Sequence, residues 1–212
     1  LTNAHVLDLV KNSKKFGINI PSFEIDWKKI VKRSRDVSKR LSKGIEYLMK
    51  KNKITYIPLR GQLLDSHTIG LSDSKKITTH NIIVASGGSP KSIPGIQIDK
   101  KIIISSKEAM VLDKIPEELV IIGAGAIGVE FAHMYNAFGS NVTLIEGLSR
   151  IVPNEDKDIS SELAKIFKKR GIKIITDAKV EDINVLKTKA KIHLDGQNPM
   201  NADKVLMAIG VS

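Results

Sequence analysis

Leu119-Val120-Ile121-Ile122-Gly123-Ala124-Gly125-Ala126-Ile127-Gly128 is the stretch on which the fold turns. Four apolar residues in a row read as a strand buried on both faces, as parallel sheets require. Three glycines follow at the spacing Gly-x-Gly-x-x-Gly, and a helical pattern opens at Ala126. Strand, tight turn and helix together are the context that a dinucleotide-binding fingerprint needs. Each glycine has its own reason. Gly123 permits the turn out of the strand, Gly125 lets the backbone approach a pyrophosphate where a β-carbon would collide, and Gly128 lets the helix pack closely on the sheet. The free amides at the helix start then face the phosphates.

Downstream, the pattern predicts a helix over 126–138 stopped by Gly139, then a second apolar strand over 141–145. Glu146 ends that strand, 18 residues after Gly128. An acid there accepts a hydrogen bond from the adenosine ribose 2'-hydroxyl and repels a 2'-phosphate, which selects NAD over NADP; the nearby Arg150 is the feature that keeps NADP open. Glu130 lies in the first helical turn, where the helix dipole alone is reason enough for a carboxylate.

A further helix over 155–170 is expected, capped by Asn154, with Glu155, Asp156 and Asp158 at its start and Lys168, Lys169 and Arg170 at its end. Residues 172–175 and 205–209 read as buried strands, and 180–186 with 190–194 as a hairpin-like excursion. Upstream, residues 2–16 form a helix closed by Gly17, and Pro21 to Glu24 lead into a long amphipathic helix that Asp26 can cap and Asn52 can end. Its apolar stripe is Ile30, Val37, Leu41, Ile45 and Leu48. Short β-type runs are expected at 54–57, 62–64 and 68–71, with Ser72 to Lys75 as a turn. Asn81 to Ala85 reads as a buried strand ending in the turn Ser86-Gly87-Gly88. A linker over 90–94 sets a domain boundary near residues 88–105.

The 212 residues are 42% hydrophobic and 27% charged, a globular composition. No apolar run is long enough for a membrane span, and no leader peptide opens the chain, so a cytoplasmic protein is expected. The formal charge is +11. Residues 1–60 hold 15 Lys and Arg against 5 Asp and Glu, while residues 61–212 hold 19 against 18. The excess therefore covers one amphipathic helix, and with aromatics at 4% it is read as a solvated face rather than a nucleic-acid surface. The five histidines are scattered without metal-ligand spacing, so no metal site is expected. With no cysteine, the chain offers no disulfide, thiolate site or cysteine nucleophile, and no catalytic residue is assigned.

The run Pro116 to Glu130, continuing through Phe138 to Glu146, resembles the flavin-dependent pyridine nucleotide-disulfide oxidoreductases, and within them the branch that oxidises dihydrolipoamide. The resemblance extends over the whole chain. Ile82-Ile83-Val84-Ala85-Ser86-Gly87-Gly88 is similar to the strand end at which that family touches FAD and passes to its NAD domain. Val205 to Gly210 is similar to a second such strand end, and Leu41 to Lys53 to the long helix of the FAD domain. The resemblance implies an α/β fold: a Rossmann-like NAD-binding domain over 106–212, and over 1–105 an incomplete FAD-binding portion with a long helical segment. It implies that Gly123, Ala124, Gly125, Ala126, Ile127, Gly128, Val129 and Glu130 bind NAD, with Ile127 and Glu130 reaching the nicotinamide. Glu146 would hold the adenosine ribose, Val180 and Gly210 would line the same pocket, and Ser86, Gly87 and Gly88 would contact FAD.

Two positions depart from the family pattern. Leu59 stands where relatives carry a glycine, and Val211-Ser212 follow Gly210 where arginine and proline are usual. The chain opens on Leu1 rather than Met and is read as the central portion of a longer polypeptide, since the family's redox cysteine pair, flavin glycine motif and histidine-glutamate pair have no counterpart in it. The implied parent is a homodimer that serves a 2-oxoacid dehydrogenase complex through its lipoyl domains. The alternatives are a related reductase acting on glutathione or mercury, and a truncated, non-catalytic nucleotide-binding module.

Overall fold

Helix α1 spans Thr2–Lys11 in the computed structural model, which describes residues 1–212. A single 3-10 turn, Ser13–Phe16, follows it and ends at Gly17 in the left-handed region. Helix α2 runs over Trp27–Lys51, and the Asp26 carboxylate accepts the Lys29 N–H at 3.0 Å at its start. Then come strands β1 (Gly61–Leu63), β2 (Thr68–Leu71), β3 (Lys76–Thr78) and β4 (Ile103–Ile104), and the short helix α3 (Ser106–Ala109). The second half of the chain supplies β5 (Glu118–Ile122), α4 (Ala126–Ala137), β6 (Asn141–Ile145), α5 (Lys157–Lys169) and β7 (Lys173–Ile175). It closes with β8 (Val180–Val185), β9 (Ala190–Leu194), β10 (Met200–Ala202) and β11 (Lys204–Met207).

Residues 1–31 with 88–212 make one compact unit, and residues 32–87 a second. Residues 88–105 pack within the first of these units. Ile103 and Ile104 pair in parallel with β11, Ile96, Ile102 and Ile103 are buried, and Pro90 bridges Val211.

The first unit is a three-layer α/β structure. Its five-stranded parallel sheet has the order β4-β11-β5-β6-β7. Along β5 the side chains alternate between two cores. Leu119 and Ile121 join Ala132 and Tyr135 of α4 and Phe167 of α5. Val120 and Ile122 join Val180 and Ile183 of β8, Ala190, Ile192 and Leu194 of β9, and Ala202 of β10. Helices thus cover one face and the antiparallel sheet β10-β9-β8 the other, which is why β5 is apolar at every position from Leu119 to Ile122. Each fully buried Leu or Ile is worth about 2 kcal/mol relative to exposure.

Helix α1 docks through Ala4 and Leu7 against Ala137 and Phe138. Trp27 lies edge-on to Phe138, with ring centroids 5.2 Å apart, and donates Nε1–H to the Leu112 carbonyl at 2.7 Å. The α5 cap is Asp156, not Asn154: its side chain accepts the Asp158 N–H, and the helix begins two residues later than its acidic start implies. No helix is long and apolar enough to cross a membrane.

In the second unit β1, β2 and β3 form an antiparallel sheet, with Ser72 to Ser74 turning between β2 and β3. Two expected strands are absent. Residues 54–57 are irregular, and Asn81 to Ala85 is likewise without ladder partners, with Ile83 92% and Val84 67% exposed. An apolar run becomes a buried strand only where other strands and a covering layer meet it. The 32–51 part of α2 keeps its apolar stripe, and Leu41, Ile45 and Leu48 are exposed along it.

Candidate functional site

The ends of β5, β6 and β11 converge on one cleft of about 630 Å³ in the first unit. β11 and β6 flank β5 on opposite sides, so the chain leaves β5 at the point where the strand order reverses. Open α/β sheets bind their ligands at such a point, outside the carboxyl ends of the strands.

The glycines line it for different reasons. Gly123 has φ 98°, and a β-carbon there would sit 2.5 Å from the Ala208 carbonyl oxygen. At Gly128 a β-carbon would lie 1.9 Å from the Gly123 carbonyl oxygen. These two positions are dictated by the packing of the chain on itself. Gly125 is different: nothing lies within 4 Å of a β-carbon built there, and the residue faces the cleft. The space that its missing side chain leaves is open to a ligand's backbone approach.

The rim is held by hydrogen bonds. Gly123 N–H donates to the Ile145 carbonyl at 2.8 Å, continuing the β5–β6 ladder into the glycine loop. Glu146 accepts the Ala124 N–H on Oε2 at 2.7 Å and the Leu148 N–H on Oε1 at 3.0 Å. The Ala124 carbonyl accepts the Val152 N–H at 2.7 Å. Arg150 donates to the Pro153 carbonyl at 2.8 Å, so its guanidinium is tied into its own loop. Asp177 N–H donates to the Leu148 carbonyl and Ala178 N–H to the Glu146 carbonyl, which stitches the turn after β6 to the β7–β8 connection.

Of the residues singled out in the sequence, Gly123, Gly125, Ala126, Ile127, Glu146, Val180 and Gly210 line the cleft together. Ala124 and Val129 are buried in the helix-side core and Gly128 beneath the loop, so their side chains pack while their backbones serve the turn. Glu130 is exposed on α4 and is not among the lining residues. Ser86, Gly87 and Gly88 are exposed and lie outside the cleft. Next to them Ser89 and Ser212 exchange backbone hydrogen bonds at 2.8 and 3.0 Å, and Lys91 N–H donates to the Gly210 carbonyl at 3.0 Å. That pairing brings residues 89–91 against the end of the β11 segment.

Sequence reading missed several wall residues. Ile93, Gly147, Pro153, Ala178 and Lys179 line the cleft, and Asn154, expected as a helix cap, lines it too. Gly147 adjoins Glu146 and carried a local signal; Ile93, Ala178 and Lys179 reach the site only through the sheet. No group of three or more His, Cys, Asp or Glu side chains is placed to hold a metal.

Known proteins resemble the whole of this arrangement. A family model described as pyridine nucleotide-disulphide oxidoreductase matches residues 5–212. The dihydrolipoyl dehydrogenase of Chlorobaculum tepidum is 37% identical, with 100% of this chain and 47% of the relative aligned. That of Mycobacterium leprae is 39% identical, over 98% of this chain and 46% of the relative. The chain spans about half the length of the curated relatives it matches. The HOCl-induced flavoprotein disulfide reductase RclA of Escherichia coli superposes with a TM-score of 0.77 at 28% identity, over 88% of this chain and 43% of that one. LpdA of Mycobacterium tuberculosis has the same fold, with a TM-score of 0.87 at 22% identity over 99% of this chain and 47% of its own. By its sequence over residues 5–212 the chain belongs to the pyridine nucleotide-disulphide oxidoreductase family.

Proposed function

We propose that the chain is the NAD-binding portion of a dihydrolipoyl dehydrogenase. The single observation that carries the nucleotide reading is the contrast among the glycines. Gly123 and Gly128 are required by packing, whereas Gly125 faces a cleft with open space where its β-carbon would be. A position with no internal reason to be glycine, at the start of a helix whose amides are free, suits close approach of a pyrophosphate.

On this reading the amides from Gly125 to Gly128 take the pyrophosphate, and Glu146 takes the adenosine ribose hydroxyls. Val180 and Gly210 border the same pocket through their backbones, while Ile127 and Glu130 on α4 reach toward the nicotinamide. NAD supplies the hydride acceptor when bound. Glu146, a negative group at the ribose position, favours NAD over NADP.

The domain reading divides the chain into residues 106–212, serving NAD, and 1–105, belonging to an FAD-binding portion. Ser86, Gly87 and Gly88, exposed on the surface, are assigned to FAD by resemblance alone. The parent enzyme oxidises dihydrolipoamide through a redox disulfide and FAD and passes hydride to NAD. The present chain has no cysteine and by itself is expected to be inactive as a dehydrogenase. We further infer a homodimeric, cytoplasmic parent that meets the lipoyl domains of a 2-oxoacid dehydrogenase complex.

Two assays test this. NADH fluorescence titration of the 212-residue chain should saturate, and Gly125→Val should abolish saturation while the chain stays folded; an unchanged titration contradicts the site. For the protein purified from its source, dihydrolipoamide-dependent NAD reduction is expected. Turnover of glutathione with NADPH instead would replace this reading by the related-reductase one.

A further inference from the structure

Two hydrogen bonds give Glu146 a task besides the ribose. Its Oε2 accepts the N–H of Ala124, in the glycine loop, and its Oε1 accepts the N–H of Leu148, in the turn after β6. One carboxylate therefore splints the loops that leave two neighbouring strands. Ala124 is held from its other polar atom as well, because its carbonyl accepts the Val152 N–H at 2.7 Å. That clamp is itself anchored: Ser160 of α5 is buried and donates its hydroxyl to the buried Ile151 at 2.6 Å.

We propose that Glu146 is a positioning residue that holds the glycine loop in its pyrophosphate-accepting shape, in addition to contacting the ribose. The proposal rests on the dinucleotide reading above. Amides at a helix start are donors without helical partners and favour an anion. Here the chain supplies one of its own at Ala124. Each carboxylate oxygen has a second acceptor site, so holding two amides leaves capacity for two ribose hydroxyls. A glutamine keeps the shape but has a single acceptor oxygen; its amide nitrogen would face a backbone N–H, donor against donor.

The test uses ligands that differ only in the ribose. ADP carries both hydroxyls; 2',3'-dideoxyadenosine 5'-diphosphate carries neither. If Glu146 serves only the ribose, Glu146→Gln weakens ADP and leaves the dideoxy compound unchanged, or strengthens it because a negative charge near the diphosphate is gone. If Glu146 also holds the loop, Glu146→Gln weakens the dideoxy compound too, by roughly tenfold, the scale of one charge-assisted hydrogen bond. Glu146→Asp, which keeps the charge but is one methylene too short to reach both amides, should do the same.

Amide hydrogen exchange on the wild-type 212-residue chain without nucleotide gives a readout that needs no variant. The Ala124 and Leu148 amides are expected to be protected. Dideoxy binding unaffected in both variants, or unprotected amides in the wild type, would overturn the proposal. A folded wild-type chain that binds neither ligand would overturn the dinucleotide reading and this proposal with it.

Discussion

A β-carbon on Gly128 would stand 1.9 Å from the carbonyl oxygen of Gly123, so the first turn of α4 rides directly on the loop that leaves β5. No flexible side-chain end is involved, and the backbone has to move to admit even one methyl. Gly128→Ala is therefore expected to lose about 3 kcal/mol or more, the upper range for overpacking, and to lose nucleotide binding with it. Gly125→Ala behaves differently. Its φ of −73° suits alanine and its β-carbon meets nothing, so stability stays within about 0.5 kcal/mol, as for substitutions away from packed features, while nucleotide affinity falls. Urea denaturation beside nucleotide titration separates the two; equal stability losses would refute the assignment.

Trp27 is the only tryptophan, and its indole packs against Phe138 at 5.2 Å and Tyr135 at 5.8 Å while donating to Leu112. Its fluorescence should therefore report unfolding of the unit that contains the cleft. Removing the ring in Trp27→Ala is expected to cost about 3 kcal/mol, and Trp27→Phe, which forfeits the hydrogen bond, about 1 kcal/mol. Circular dichroism in urea checks both; a neutral Trp27→Ala would mean that the ring is not part of the core.

Tyr135 is fully buried and donates its hydroxyl to the Ala109 carbonyl at 2.5 Å, and burial pushes its phenol well above the usual tyrosine range. Tyr135→Phe leaves that carbonyl without its partner, at an expected cost of about 1–2 kcal/mol. The loss should be the same from pH 6 to pH 9, because the phenol does not ionise in that span; a loss that shrinks at high pH would contradict the burial.

Acid sensitivity should concentrate where α1 meets α4 and α5. His133 is held below the usual histidine range, first by burial and then by the Arg170 guanidinium, with His5 and the Leu1 amine adding in the same direction and Asp8 opposing. Arg170 itself binds Asp8 at 2.8 Å. Since the folded pKa lies below the unfolded value of 6.5, the unfolded chain binds more protons there. The stabilisation is present above pH 6.5 and is lost as pH falls through the folded pKa. Melting temperatures from pH 8 to pH 5 should fall less steeply in His133→Gln than in the wild type; parallel curves would refute it.

The cleft was legible in the sequence because its logic is local. Strand, glycines and Glu146 lie within 28 residues, and each obeys a rule of close approach or charge. Lys179 and Ile93 were illegible because they reach the site only through strand order, which short-range pattern does not encode. The same limit explains Asn81 to Ala85: its composition is that of a buried strand, yet strand formation needs neighbours, and Ile83 is left 92% exposed. Strands β4 and β10, of two and three residues, are too short to show a period. Gly17 is left-handed, as a stop requires, but it closes the 3-10 turn Ser13–Phe16, because the α-helix expected over 2–16 ends at Lys11.

The central claim is that the cleft at the ends of β5, β6 and β11 selects NAD. Parallel calorimetric titration of the folded 212-residue chain with NAD and NADP tests it most directly. Binding of one NAD per chain is expected, with NADP weaker by at least tenfold, the cost of about 1.4 kcal/mol for setting a 2'-phosphate against Glu146. Heat of binding that is equal for the two nucleotides, or absent for both, would contradict the account.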